Sequence, residues 1–163
     1  MFTYFATYII MAYSLTKGIK MPVSIYVSKR FPQSKRFEEY SAKLWNHFFK
    51  RESKRTEFKE LQIRLYPLLE GSDDENVIGY FSGERDCDEL EIEISRNWFD
   101  RENQELVKYS IEELAVAVAH EMVHAKQSIR GELHKADFSI PYLEQPWEIE
   151  AHSLERELFE KYW

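Results

Sequence analysis

Two histidines and a glutamate occur in this chain at a spacing that suits metal-assisted hydrolysis. His120 and His124 are four residues apart, so on a helix they lie on one face with Cβ atoms about 5–6 Å apart. Both imidazoles could then bind one Zn²⁺ at about 2.0–2.1 Å. Glu121 would stand beside the metal, where a carboxylate can accept a proton from a metal-activated water. The pentapeptide His-Glu-Met-Val-His therefore predicts a metal, a general base and a reaction class.

The residues around this pentapeptide predict a long buried helix that positions it. Ser110 and Glu113 form a capping-box pattern, and Gly131 directly after Arg130 is typical of a C-terminal cap. The run 114–119 is apolar on every side, as is typical of a helix in the interior of a domain. We therefore predict a helix from about Ser110 to Arg130 that carries both histidines near its middle.

A catalytic zinc site needs a third protein ligand, and the C-terminal part of the chain offers candidates. A helix predicted to begin at Pro146 carries Glu148 and Glu150 on opposite sides of its apolar face. Glu148 shares its side of the helix with Phe159, which indicates a half-buried position, whereas Glu150 lies among charged residues. We predict Glu148 as the third ligand. Glu150 and His134 remain alternative ligands.

The two predicted helices together resemble the gluzincins, zinc metallopeptidases in which an H-E-x-x-H motif is followed by a glutamate on the next helix. Residues 148–152, Glu-Ile-Glu-Ala-His, are similar to the E-x-x-A-D/N segment of CAAX-processing peptidases and of ImmA/IrrE-type peptidases. In those families the first glutamate of the segment binds zinc, which implies the same role for Glu148. The small size is closest to single-domain gluzincins of bacteria and phages.

One position departs from that family pattern. His152 stands where those families have Asp or Asn. Its role is open: it could be a partner of a zinc ligand, an alternative ligand, or a group that stabilises the transition state.

The resemblance implies a zinc-dependent peptidase, and an endopeptidase rather than an exopeptidase. Glu121 is the expected base, and His152, Tyr109 or Tyr142 could donate a hydrogen bond to the developing oxyanion. Two alternatives stay open: a non-catalytic module that binds proteins on a peptidase scaffold, and a zinc hydrolase of a non-peptide bond. Glu121 favours an enzyme, since a pure binding module has no chemical need for a base beside the metal.

The clearest predicted strand alternates Leu90, Ile92 and Ile94 with Glu91 and Glu93. It is the predicted strand closest in sequence to the metal-binding helix. We predict that it forms a sheet edge that binds an extended peptide substrate through main-chain hydrogen bonds. The same charges also suit an ordinary edge strand protected against aggregation.

The overall composition predicts one small α+β domain. The chain has 163 residues, of which 44% are hydrophobic, enough for one core. We predict a zincin-like fold at 21–163. It has an N-terminal helix capped by Ser34, a short three- to four-stranded sheet that is mostly antiparallel or mixed, the metal-binding helix, and a C-terminal helix with the third ligand.

Net charge and cysteine content indicate which binding partners and which cellular compartment to expect. A net charge of −7 argues against nonspecific binding to nucleic acid, which needs a basic surface. The single cysteine, Cys87, excludes an internal disulfide, and we expect a cytoplasmic protein.

The apolar N-terminal extension 1–20 is harder to assign. Residues 2–15 are too few for a transmembrane helix, which needs about 20 residues. Peripheral contact with a membrane is an alternative, and Met21 is a second candidate for the natural start.

Overall fold

The computed structural model describes residues 24–50, 60–70, 76–83, 89–132 and 139–163. These residues form an α+β fold, as predicted. The N-terminal extension 1–20, Cys87 and His134 lie outside the described residues. In the part of the chain that is described, no helix is long and apolar enough to cross a membrane.

The helices and strands are numbered in chain order. They are β1 (Ser24–Val27), α1 (Ser34–Phe49), β2 (Glu60–Tyr66), β3 (Leu69–Glu70), β4 (Asn76–Val77), β5 (Gly79–Ser82), β6 (Glu89–Ser95), β7 (Asn97–Asp100), β8 (Glu105–Lys108), α2 (Ile111–Arg130) and α3 (Pro146–Tyr162). A short 3₁₀ helix, Tyr142–Glu144, precedes α3.

The main sheet has four strands in the order β1-β2-β6-β5. Strand β2 runs parallel to both β1 and β6, and β5 runs antiparallel to β6. The prediction of a mixed sheet is confirmed, but the sheet is not mostly antiparallel. Parallel neighbours need a long crossover connection, and α1 lies in the connection between β1 and β2. Two small antiparallel pairs, β3–β4 and β7–β8, complete the described strands.

The prediction that residues 90–94 form a sheet edge is wrong. These residues lie in β6, which is hydrogen-bonded to β2 on one side and to β5 on the other. Their main-chain groups are therefore already used within the sheet, and Leu90, Ile92 and Ile94 are fully buried. Glu91 pairs with Arg64 of the neighbouring strand at 2.9 Å. Among the described strands, β5 is the edge strand that contacts α2.

The core lies between this sheet and the helices. Alternate residues of the two central strands are buried, which is the pattern of a sheet with one covered face. Helix α1 packs against β1, and α2 packs against β5, β6 and both other helices. Because α2 is in contact on several sides, fourteen of its residues are buried. Anything that α2 carries at its middle is fixed in the interior.

Helix α2 begins and ends as the sequence predicts. The Ser110 hydroxyl accepts a hydrogen bond from the Glu113 backbone N–H at 3.1 Å, and the Glu113 carboxylate accepts from the Ser110 N–H at 2.7 Å. Gly131 has φ 70°, in the left-handed region. Its backbone N–H donates hydrogen bonds to the carbonyl oxygens of Gln127 and Ser128, which ends the helix. These bonds satisfy backbone groups that the helix ends leave free.

Helix α1 begins differently from the prediction. Ser34 is its first helical residue rather than its cap, and Gln33 occupies the cap position with φ 54° and no capping hydrogen bond from its side chain. The helix ends at Phe49, which is buried.

The two serines form a matched test of this assignment. We expect Ser110→Ala to lower the free energy of unfolding by about 1 kcal/mol, because it removes the cap of α2. Ser34→Ala should cost clearly less, since no capping bond depends on it. Chemical denaturation of both variants checks this. Equal losses would contradict the assigned caps.

Candidate metal centre

Three predicted ligands from two helices converge on one point. His120 and His124 of α2 place their Nε2 atoms 3.0 Å apart. The Glu148 carboxylate of α3 faces both, with Oε2 at 3.3 Å from His120 Nε2 and Oε1 at 3.1 Å from His124 Nε2. Glu148 is only 2% exposed. These three side chains form a group that could hold a metal ion.

Helix packing explains why Glu148 can reach the histidines. Helix α3 begins with Pro146, whose fixed φ suits the first helical position. One turn after Glu148, Ala151 is fully buried, and Leu158 is buried two turns further on. The small Ala151 side chain lets α3 pack closely, and α2 and α3 are in extensive contact. The glutamate is therefore held against the middle of α2.

Both imidazoles are oriented by a partner on their other nitrogen. His120 Nδ1 lies 2.7 Å from Glu155 Oε2, and His124 Nδ1 lies 2.8 Å from Gln127 Oε1. Carboxylate and amide oxygens only accept hydrogen bonds, so each Nδ1 carries the proton in this arrangement. The Nε2 lone pairs are then left for a metal, and a fixed tautomer of this kind is typical of metal-binding histidines.

Glu150 lies outside the group of three ligands. Its carboxylate pairs with Lys126 Nζ at 2.6 Å and accepts a hydrogen bond from Gln127 Nε2 at 2.9 Å. Gln127 also donates to the backbone oxygen of Trp147, which fixes its amide and leaves its oxygen toward His124. Glu150 thus supports a ligand at one remove. Its side chain is 38% exposed, in keeping with its position among charged residues on the helix.

His152 lies in a second group, with His120 and Glu155, and not in the group that contains Glu148. Its Nδ1 lies 3.3 Å from Glu155 Oε2, the same oxygen that contacts His120. The His120 and His152 rings are 4.7 Å apart. His152 is therefore a neighbour of the oriented histidine rather than a fourth member of the buried group.

Glu121 is buried and close to both histidines. Its side chain is 5% exposed, and burial raises its pKa to about 7 although His124 and His120 both lower it. The edge strand β5 passes directly over it: a Cβ added at Gly79 would lie 2.6 Å from Glu121 Oε1. Only glycine leaves the carboxylate in this position.

The two tyrosines named as oxyanion donors are at different distances from the site. The Tyr142 hydroxyl donates a hydrogen bond to the Glu148 carboxylate; burial, followed by this bond, raises the pKa of the phenol. Tyr109 lies near Glu113 at the start of α2. The helical rise places Glu113 about 10 Å along the axis from His120. The structure thus brings Tyr142, and not Tyr109, to the ligands.

Glu148 and its partners shift one another's protonation. Burial lowers the pKa of His120, but hydrogen bonds to Glu148 and Glu155 more than offset this and raise it to about 10. Burial lowers the pKa of His124 as well, but its bonds to Glu148 and Gln127 and the nearby charge of Glu121 together outweigh burial and raise it. Burial raises the pKa of Glu148, but bonds from both histidines and Tyr142 hold it well below its usual value. The two histidines therefore favour their protonated, positively charged forms, and Glu148 favours its ionised form.

Sequence reasoning did not assign roles to Glu155 or Gly79. Glu155 lies seven residues after Glu148, two helical turns on the same stripe, so periodicity contained a weak signal for it. No comparable signal existed for Gly79, because its function depends on the packing of β5 over α2.

Comparison of the chain with protein-family models, with curated proteins and with solved structures finds no match. The geometry of the site is therefore what indicates a function. That geometry provides two oriented imidazoles, a buried carboxylate and a second buried carboxylate beside them.

Two glutamates of α3 offer a matched test of the ligand set. We expect Glu148→Gln to abolish tight binding of a divalent metal ion that survives dialysis, because it removes the anionic ligand. Glu150→Gln should retain the metal, since an amide can still accept from Gln127. Metal content per chain after zinc loading and dialysis checks both. If only the Glu150→Gln variant lost the metal, Glu150 and not Glu148 would be the third ligand.

Metal binding should also release protons. His120 has a raised pKa of about 10, so it is protonated at pH 7 in the metal-free protein and must lose a proton to bind. One released proton makes the apparent zinc affinity rise about tenfold per pH unit below that pKa. Calorimetry in two buffers of different ionisation enthalpy measures the release. Binding without proton release would contradict the assigned protonation.

Proposed function

We propose that the chain is a zinc-dependent peptidase of the gluzincin kind. The observation that carries the proposal is the separation between the facing nitrogen and oxygen atoms of the three side chains, 3.0 to 3.3 Å. Ligand atoms arranged tetrahedrally at about 2.0–2.1 Å from a zinc ion lie about 3.3–3.4 Å apart. Without a metal ion, protons on the imidazole Nε2 atoms compensate the Glu148 carboxylate at these distances, and a metal ion would take the place of those protons. The arrangement suits a metal ion closely.

The donor set favours zinc over harder cations. Two imidazole nitrogens and one carboxylate oxygen suit zinc, whereas magnesium and calcium prefer oxygen ligands. Catalytic zinc sites have three protein ligands and keep the fourth position for water or substrate. His120, His124 and Glu148 would hold the metal. The ion would supply Lewis acidity, which activates water and polarises a substrate carbonyl.

Glu121 would act as the general base and then as the general acid. It is buried, lies beside both histidines and has a pKa raised to about 7. A carboxylate with such a pKa can take a proton from the attacking water and give it to the leaving amine near neutral pH. The close approach of Gly79 limits the positions that the Glu121 carboxylate can adopt.

Tyr142 is the best-placed donor for the oxyanion. Its hydroxyl donates a hydrogen bond to the carboxylate of Glu148, a proposed metal ligand. Tyr142 therefore lies next to the proposed metal position. The 66% exposure of the Tyr142 residue leaves its ring free to adjust as a substrate enters. A donor placed where negative charge develops is worth a large part of the rate enhancement.

The edge strand β5 supports a peptide as the substrate. It is an outer strand of the main sheet within the described residues, and its first residue, Gly79, contacts Glu121. An extended peptide that pairs with β5 through main-chain hydrogen bonds would pass close to the base. This replaces β6, which we expected in that role.

Two other functions remain as outcomes of the test. A hydrolase of a non-peptide bond would use the same metal and base. A non-catalytic binding module would retain the metal and need no base, and the buried, closely packed position of Glu121 argues against it.

The test compares Glu121→Gln with Glu112→Gln on the same helix. Both proteins are loaded with zinc and incubated with a mixed-sequence peptide library, and cleavage is followed by mass spectrometry. Loss of the general base should reduce turnover by about 10²- to 10⁴-fold while zinc stays bound. The exposed Glu112, which pairs with Arg156, should be dispensable for turnover.

Two outcomes would count against this proposal. Turnover that survives in Glu121→Gln would exclude this residue as the base. Zinc-loaded wild type that cleaves no peptide in the library would favour a non-peptide substrate or a binding module.

A further inference from the structure

We propose that His120, His152 and Glu155 form a second site for a transition-metal ion, outside the buried one, and that an ion there regulates the inner site. We name these the outer site and the inner site. The inner site is His120, His124 and Glu148. The regulatory part of the inference rests on the proposed peptidase function, whereas the existence of the outer site does not.

The geometry of the outer site is that of a second ligand group. Glu155 Oε2 lies 2.7 Å from His120 Nδ1 and 3.3 Å from His152 Nδ1. All three ligand atoms lie within 4.8 Å of one another. Two imidazole nitrogens and a carboxylate oxygen form a donor set that suits zinc, copper or nickel.

The outer site is open to an ion from solvent. The His152 side chain is 51% exposed and that of Glu155 is 22% exposed, whereas Glu148 in the inner site is 2% exposed. The neighbouring cation Arg156 pairs with Glu112 at 2.6 Å. Within the described residues, the ion pairs of Glu155 are therefore with imidazoles alone.

The two sites share one imidazole, which couples them. With an ion on its Nε2, His120 keeps a proton on Nδ1 and donates it to Glu155. An ion at the outer site would take Nδ1 as a ligand in place of this proton, which would pass to solvent. His120 would then serve both sites, and its hydrogen bond to Glu155 would be lost. Because that bond orients His120, an occupied outer site should impair hydrolysis.

The inner site should fill first. It offers three ligands without removing an Nδ1 proton, and its carboxylate is shielded from water. The outer site has to displace the second proton of His120, after the inner ion has displaced the first, and it binds close to a cation already present, where like charges repel. The second ion is therefore expected to bind more weakly.

The experiment counts zinc ions per chain by native mass spectrometry and calorimetry over increasing zinc concentration. Wild type is compared with His152→Ala and Glu148→Gln, and Ser153→Ala is the control from the same exposed turn. We expect wild type and Ser153→Ala to bind one tight and one weaker ion. His152→Ala should lose only the weaker ion, and Glu148→Gln only the tight one. Peptide turnover by wild type should fall as the weaker site fills, and that fall should be absent in His152→Ala.

Each contrary result has a separate meaning. A wild type that binds a single ion would overturn the outer site and leave the peptidase proposal intact. An unchanged weaker ion in His152→Ala would likewise overturn the assigned ligands. A second ion that leaves turnover unchanged would overturn the regulatory role, and wild type that binds no zinc would overturn both proposals.

Discussion

The buried carboxylate of Glu148 needs positive charge within reach, and the arrangement around it follows from that need. An unpaired carboxylate in the interior is strongly unfavourable. Its oxygens face His120 and His124, and the Tyr142 hydroxyl donates to it. The buried Lys126 is engaged elsewhere, by Glu150 and Glu132. The compensating charge must therefore come from protons on the imidazoles or from a metal ion, and the two compete for the same Nε2 atoms.

Such a site depends on helices that cannot rotate. Helix α2 contacts the sheet and both other helices, and its ends are fixed by Ser110 and Gly131. A rotation that turned His120 away from α3 would expose buried apolar residues on another side of α2. Helix α3 is held by Ala151 and Leu158. The positions of His120, His124 and Glu148 are thus a consequence of core packing, which preorganises the candidate site.

Local patterns in the sequence predicted the parts of the site that depend on local physics. The capping box of α2, its glycine cap and the choice of Glu148 over Glu150 follow from spacing along single helices. Both caps are present, and Glu148 rather than Glu150 lies with the two histidines. The neighbours of β6 did not follow, because period-two alternation identifies the face of a strand and not its partners. Two further contacts could not be predicted from local patterns either: the packing of Gly79 over Glu121, and the Lys126–Glu150 ion pair. Both are contacts between elements that are distant in sequence.

The surroundings of His120 separate two carboxylates that would otherwise be alike. Burial raises the pKa of Glu121 to about 7, with no hydrogen bond among the main causes. Burial also raises the pKa of Glu155, but hydrogen bonds from His120 and His152 more than offset this and leave it below its usual value. Glu155 therefore stays ionised and keeps orienting His120, while Glu121 can both take and give a proton near neutral pH. Two carboxyl groups with such divided behaviour are what proton-transfer chemistry requires.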